Sequence, residues 1–206
     1  MNDEFSHLPP LETRGRDRVR NLAEVFTAER EVEAMLDLVS DSAASIEARF
    51  LEPSCGNGNF LVAILQRKLA TVARRHKKPK PFEFNSLKAL SSIYGVDIDG
   101  HNIREAREHM KVSMVRFYSK HMNTSEQTDG YVAAIEYILQ KNIIVGDMLN
   151  GVDHINFVEF TAPKINKFQQ RTFRLSDMMS EGLFDWRGPP AIAETPMRNY
   201  WELGKK

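Results

Sequence analysis

The feature that most constrains this chain is a loop with one proline and two glycines between a short apolar stretch and a helical pattern. Phe50-Leu51 has the composition of a short buried strand and runs into residues 52–59 (EPSCGNGN), where proline and glycine exclude regular structure. From Leu61 to Val72, apolar residues recur at helical spacing. A strand that enters a Gly-x-Gly turn and continues as a helix brings the backbone close to a ligand at the carboxyl edge of a parallel sheet.

The rest of the chain repeats this alternation of strands and helices. Residues 93–97 (IYGVD) and 143–145 (IIV) have the composition of buried strands, and the apolar residues between them recur at steps of three or four. A further helix is predicted over 28–40, with Thr27 as its N-cap. This order predicts an α/β fold with a Rossmann-like, doubly wound and mostly parallel sheet, preceded by a helical lead-in.

A length of 206 residues fits one domain with an extension. We expect an N-terminal arm over 1–21, which lacks apolar periodicity, and a cofactor-binding domain over 22–150. Residues 151–206 mix aromatic and basic side chains without a sustained period, which predicts an irregular segment of short strands and turns with one short helix near 176–183. We expect this segment to complete or flank the sheet.

Composition bears on the compartment and on some kinds of site. One cysteine, Cys55, excludes an internal disulfide and a multi-cysteine zinc site, and no acid or histidine stands near it at a spacing that would make it a nucleophile. The six histidines form no metal-binding pattern, so no metal site is predicted. Because no apolar run reaches the roughly 20 residues that span a bilayer, we expect a soluble, cytoplasmic protein without a membrane partner.

The 28 basic and 28 acidic side chains give the chain a net charge of zero. A polyanion would therefore have to bind at a local patch of positive charge. The segment 53–82 offers one, since it holds seven Lys or Arg and no Asp or Glu. A solvated helix end is the alternative interpretation of this cluster. The candidates for nucleic-acid contact are Arg74, Arg75, Lys77, Lys78 and Lys80.

Three strand ends carry features that would meet in one crevice of such a sheet. The first strand ends in the loop with Gly56 and Gly58, the second ends in Asp97, and the third is followed by Asp147. Glycine removes the side chains that would keep a ligand from the backbone. A third glycine of the dinucleotide fingerprint is missing, since Phe60 and its neighbour occupy that region, and no Gly-Lys-Ser/Thr sequence is present. The crevice is therefore not predicted to hold NAD or to form a P-loop.

The residue types at these ends describe a ligand with a ribose and an adenine. A carboxylate at Asp97 can accept both hydroxyl protons of a ribose, and Asp147 can accept a proton from an exocyclic amine. Ile98 and Met148 offer apolar faces to a purine, although core packing is the alternative for both. S-adenosylmethionine fits this description, with its carboxylate near the glycine loop and the helix that follows.

The motifs resemble those of the S-adenosylmethionine-dependent N6-adenine DNA methyltransferases of restriction-modification systems. Residues 50–60 (FLEPSCGNGNF) are similar to the cofactor-loop motif of that family, residues 94–99 (YGVDID) to its ribose-binding motif, and residues 144–149 (IVGDML) to its adenine-contacting motif. Residues 25–28 (VFTA) resemble the segment that touches the methionine moiety, except that Ala28 stands where the family usually has proline.

The resemblance covers about residues 20–150 and implies a class I methyltransferase fold, DNA as substrate and S-adenosylmethionine as cofactor. It carries the cofactor contacts over to a set of motif residues. These are Phe26, Thr27, Glu52, Pro53, Ser54, Gly56, Gly58, Phe60, Asp97, Ile98, Asp147 and Met148.

One family motif is missing. Members carry an Asn/Asp-Pro-Pro-aromatic tetrad that binds the flipped adenine, whereas the Pro-Pro steps at 9–10 and 189–190 have neither a polar residue before them nor an aromatic one after them. No catalytic residue is therefore assigned. Two alternatives stay open: a non-catalytic cofactor-binding subunit that needs a protein partner or a second copy, and a methyltransferase that acts on a substrate other than DNA.

Overall fold

The structure, a computed structural model, describes residues 29–122, 127–180 and 190–205. In chain order its elements are α1 (Glu29–Asp37), α2 (Ser40–Ala44), β1 (Phe50–Glu52), α3 (Asn59–Arg75), α4 (Pro79–Ser91), β2 (Ile93–Asp97), α5 (Gly100–Met122), α6 (Tyr131–Asn142), β3 (Ile143–Val145), β4 (Asn156–Lys164), β5 (Lys167–Arg174), α7 (Leu175–Ser180), β6 (Ala193–Glu194) and β7 (Arg198–Asn199). The predicted arm over 1–21 and the predicted site residues Phe26 and Thr27 lie outside the described residues.

A three-stranded parallel sheet makes the chain an α/β protein. Its strand order is β1-β2-β3, with Phe50 opposite Ile93 and Gly95 opposite Ile143. Every residue of the central strand β2 is buried, as expected for a parallel strand that is covered on both faces. Among the described residues, β1 pairs with β2 alone and so forms one edge of this sheet.

Helices α3 and α5 pack against each other and against β2. Gly95 lies beneath α3, and a Cβ atom at this position would stand 2.7 Å from Cδ1 of Leu61. Glycine at this position leaves room for the Leu61 side chain of the helix, and the buried residues of both helices join the main apolar core. No helix in the described part of the chain is both long and apolar enough to cross a membrane.

Two helices differ from the predictions. The helix predicted over 28–40 is interrupted, because α1 ends at Asp37 and α2 begins at Ser40, leaving Leu38 87% exposed between them. Helix α3 ends at Arg75, and a helix that was not predicted, α4, starts at Pro79, since proline is tolerated in the first turn of a helix. Sequence reasoning missed α4 because the polar residues Glu83 and Ser86 on it are also buried.

Glu83 joins distant parts of the chain inside the core. Its carboxylate accepts hydrogen bonds from the Tyr200 hydroxyl at 2.6 Å and from the Thr128 N–H at 2.8 Å. Nearby, the hydroxyls of Ser86 and Tyr131 are 2.7 Å apart. Because a buried carboxylate is stable only when it is hydrogen-bonded, these contacts hold the 3-10 turn at Tyr200–Glu202 against α4.

The segment after β3 corrects the prediction of an irregular extension, because it forms a second, antiparallel sheet. Strands β4 and β5 form an antiparallel hairpin, which β6 and β7 extend into a second sheet. Phe157 packs edge-to-face on Tyr94 of the parallel sheet, with ring centroids 5.1 Å apart, whereas Phe160 and Phe168 join the helical core. Since different stretches of the hairpin are buried on opposite faces, the simple alternation that marks a half-buried strand is absent. The predicted short helix is present as α7, over Leu175–Ser180.

Lys68 of α3 is fully buried and secures the entry to β1. Its Nζ donates hydrogen bonds to the carbonyl oxygens of Ser45 and Ala48, both at 2.6 Å, and lies 5.2 Å from the centroid of the Phe50 ring. Burial of the ammonium group lowers the pKa of Lys68 to about 8.

We predict that Lys68 makes the protein more stable as pH rises from about 8 toward 10. The unfolded chain holds this proton up to about pH 10.4, so it binds more protons than the folded chain in that interval. Urea unfolding of the wild type and of Lys68→Met at about pH 7.5 and 9.5 should show the wild type gaining about 1–2 kcal/mol relative to the variant. Parallel pH dependence in the two proteins would contradict this prediction.

Candidate functional site

Asp97, the last residue of β2, connects the two loops at the carboxyl edge of the parallel sheet. Its Oδ2 accepts the Gly56 N–H at 2.9 Å, and its main-chain carbonyl accepts the Gly146 N–H at 3.0 Å. One residue earlier, the Val96 carbonyl accepts the Cys55 N–H at 2.9 Å. The structure thus brings the ends of β1, β2 and β3 together around one residue, Asp97.

This carboxylate has little acceptor capacity left. Besides the bond to Gly56, its Oδ1 accepts the Asp99 N–H at 2.8 Å and the Asn102 side-chain amide at 3.3 Å. A carboxylate offers about four lone-pair positions, so one remains on Oδ2. Asp97 is 7% exposed, and the geometry leaves room for one hydroxyl contact where the sequence predicted two.

One face of α5 supports the glycine loop, and sequence reasoning did not identify it. Asn102 bonds Asp97, Ala106 packs beneath Gly58, and the His109 Nδ1 lies 2.9 Å from the carbonyl oxygen of Asn57. These three α5 residues stand four and three positions apart, so they share one stripe of the helix. Polar residues at the spacing of an apolar stripe are the signal that could have revealed them.

The two loop glycines serve different purposes. Gly58 has φ +89°, and a Cβ there would lie 2.8 Å from the Cβ of Ala106, so packing against α5 requires glycine. Gly56 has φ +51°, and a Cβ there would meet nothing within 4 Å. Only at Gly56 does the missing side chain leave open space beside the backbone, which is where a ligand could approach.

Asp147 lies in the loop after β3 and is occupied by its own neighbours. Its carboxylate accepts the main-chain N–H groups of Leu149 at 2.8 Å and Asn150 at 3.0 Å, and the Asn150 amide at 3.2 Å. These hydrogen bonds lower the pKa of Asp147. Turn formation therefore accounts for an acid at this position, and the carboxylate faces solvent at the same edge of the sheet.

The two residues predicted to face a purine differ in burial. Ile98 is 65% exposed directly after Asp97, an unusual placement for a large apolar side chain. Val145, at the end of the neighbouring strand β3, is 56% exposed. Met148 is half-buried and packs against the cluster around Tyr94, so core packing explains it. Of the two residues predicted to face a purine, only Ile98 is thus open to a ligand.

The remaining residues of the first motif surround the loop. Glu52 is half-buried, and burial raises its pKa, whereas Pro53 and Ser54 are exposed. Phe60 packs against the main core. Burial, together with the charges of Asp97 and Glu52, raises the pKa of the Cys55 thiol to about 12, so the thiol is protonated at neutral pH.

The residues predicted to contact nucleic acid are exposed but lie away from this edge. Arg74 and Arg75 are in the last turn of α3, whose first turn follows the glycine loop, and Lys77, Lys78 and Lys80 come next. A depression of about 540 Å³ is lined by residues 78–81 with Tyr118, Gln127 and Thr128, and another, of about 260 Å³, includes Arg75, His76 and Lys88. Neither contains a predicted cofactor residue.

Within the described ranges, no group of three or more His, Cys, Asp or Glu side chains is arranged to hold a metal ion. Comparisons of the chain with protein-family models, with curated proteins and with solved structures gave no match.

We predict that Gly58→Ala destabilises the protein more than Gly56→Ala. Both place an alanine at positive φ, which costs about 1–2 kcal/mol. Gly58→Ala adds overpacking against Ala106, worth about a further 1–3 kcal/mol. Denaturant unfolding of both variants measures the difference, and equal losses would show that Gly58 is not held by α5.

We predict that Asp97→Asn weakens the fold by about 1–3 kcal/mol, because the amide group would leave the N–H of Gly56 or that of Asp99 without an acceptor. Asp147→Asn is the matched control, since that side chain is exposed and water can replace its hydrogen bonds. Chemical unfolding should show a much smaller loss for the control. Similar losses would mean that Asp97 does not join the loops.

Proposed function

We propose that this chain is the S-adenosylmethionine-binding part of an N6-adenine DNA methyltransferase of the restriction-modification type. Its three parallel strands would be the first half of a Rossmann-like, class I methyltransferase sheet. One observation supports this most: Asp97 joins the glycine loop to the end of β3, beside the open space at Gly56 and the exposed side chain of Ile98.

The residues at this edge suit the parts of the cofactor. The free position on Oδ2 of Asp97 would accept a ribose hydroxyl, and Ile98 would cover one face of the adenine. Asp147 would accept a proton of the exocyclic amine, and the space beside Gly56 would admit the methionine end. When bound, this cofactor supplies an electrophilic methyl group on its sulfonium sulfur.

DNA as the substrate and adenine N6 as the acceptor come from the motif resemblance. In-line attack of the amine on the methyl group would depend mainly on positioning. No described residue supplies the Asn/Asp-Pro-Pro-aromatic tetrad that would orient this amine, so the chain is proposed to hold the cofactor, and the group that positions the base is left unassigned.

A second candidate is a subunit that becomes active only with a partner chain. The unpaired edge of β1 favours it, because in the described residues no strand continues the parallel sheet beyond β1. The hairpin of β4 and β5 packs over β2 and β3 instead, with Phe157 on Tyr94. Leu51 of β1, on the same face as Tyr94, is 44% exposed.

We predict that S-adenosylmethionine binds the purified chain and that Ile98→Ala weakens this binding. Loss of the buried apolar carbons would raise the dissociation constant about 5- to 30-fold in calorimetric titration. Ile165→Ala is the control, because Ile165 is another exposed isoleucine, 82% exposed, at the tip of the β4–β5 hairpin. Absence of binding to the wild type would refute the proposed cofactor.

Methyl transfer distinguishes the two candidates. If this chain also supplies the unassigned group that positions the base, labelled methyl groups should pass from S-adenosylmethionine to duplex DNA when the chain is incubated alone. If a partner completes it, the chain should bind the cofactor with unchanged affinity but transfer no label until the partner is added.

A further inference from the structure

A compact group of cations lies where α3 ends and α4 begins. We call residues 74–80 the basic turn; its cations are Arg74, Arg75, Lys77, Lys78 and Lys80. All five side chains are exposed. On a chain whose charges sum to zero, such a group creates a positive potential only if nearby acids do not neutralise it.

Residues 53–82 contain two further cations, Arg67 and Lys68, and both differ from the five cations of the basic turn in having protein partners. Arg67 is paired with Glu33 and Asp37, and Lys68 is buried on main-chain carbonyls. No ion pair joins any cation of the basic turn to an acid of the described residues. The acid that shares a depression with Arg75 is Glu47, and it is already paired with Lys88 at 2.7 Å.

Helix stabilisation explains only part of this group. Arg74 and Arg75 stand in the last turn of α3, where positive charge is favourable. Lys78 is the N-cap of α4 and Lys80 lies in its first turn, where positive charge opposes the helix dipole. Burial and the charges of Arg75 and Lys88 also lower the pKa of His76. Lys78 and Lys80 therefore stand where local stability disfavours a cation.

The basic turn is remote from the candidate cofactor site. Helix α3 has 17 residues and starts next to Gly58. At 1.5 Å per residue, the two ends are about 25 Å apart. At about 3.4 Å per nucleotide step, this distance corresponds to about seven base pairs.

We propose that the basic turn binds the phosphate backbone of duplex DNA, as an anchor separate from the place where a target base would be held. The proposal rests on the proposed function for its choice of duplex DNA. Phosphates bound here would lie about 25 Å from the candidate cofactor site, the length of α3. Such contacts add affinity and carry no sequence information.

The test measures duplex binding against salt by fluorescence anisotropy. The variant is Lys77→Gln with Lys78→Gln, and the control is Lys164→Gln with Lys205→Gln, which removes two exposed cations elsewhere. Between about 50 and 200 mM salt, the variant should reduce the slope of log affinity against log salt by about 2 and weaken binding at least tenfold. The control should stay within about twofold of the wild type.

Three results would overturn the proposal: no duplex binding by the wild type, equal losses in variant and control, or binding of anionic vesicles or single-stranded RNA without binding of duplex DNA. Calorimetric titration with S-adenosylmethionine on the same proteins separates this proposal from the proposed function. The variant should bind the cofactor as the wild type does. If neither protein binds it, the cofactor proposal fails, while the anisotropy result still decides the role of the basic turn.

Discussion

The hydrogen bond between the Asp97 carboxylate and the Gly56 N–H is the interaction on which the rest of this site depends. A loop of glycine, proline and asparagine has no regular hydrogen bonding of its own, so another element must fix its position. That element is the central strand β2, whose last residue, Asp97, bonds the glycine loop through its carboxylate. Its main-chain carbonyl bonds the loop after β3 as well. A single β2 residue thereby couples the shape of both loops to the packing of the core.

Much of this arrangement could be predicted from local patterns. The three parallel strands and helices α3, α5 and α6 have the apolar spacing of their element type. The glycine loop is recognisable because its proline and glycines exclude a regular helix or strand. Helix α4 and the β4–β5 hairpin could not be predicted in this way. Glu83 is buried because Tyr200 satisfies it, and the hairpin is buried on different faces along its length. Both depend on tertiary partners that a local pattern does not contain.

The same limit applies to the candidate site. Strand ends that carry Asp97 and Asp147 could be placed at one edge, since the topology of a parallel sheet dictates it. Which groups these two carboxylates bond could not be predicted from the sequence. Three of the acceptor positions of Asp97 are occupied by hydrogen bonds from protein groups, and the Asp147 carboxylate is bonded within its own turn. Each carboxylate therefore has fewer free acceptor positions for a ligand than the residue type alone suggests. The support from His109 depends on the rotation of α5, which only the folded structure defines.

The bond between Glu83 and Tyr200 also has a kinetic consequence. It joins residues 117 positions apart, so the polar centre of the core is incomplete until a distant part of the chain arrives. Closing a loop of this size costs conformational entropy before the contact at its ends can stabilise the fold. Contacts between residues far apart in the sequence therefore slow folding. We expect the parallel sheet and its helices to assemble first around a carboxylate that still lacks its Tyr200 partner, with docking of the turn at Tyr200–Glu202 as the late step that sets the folding rate.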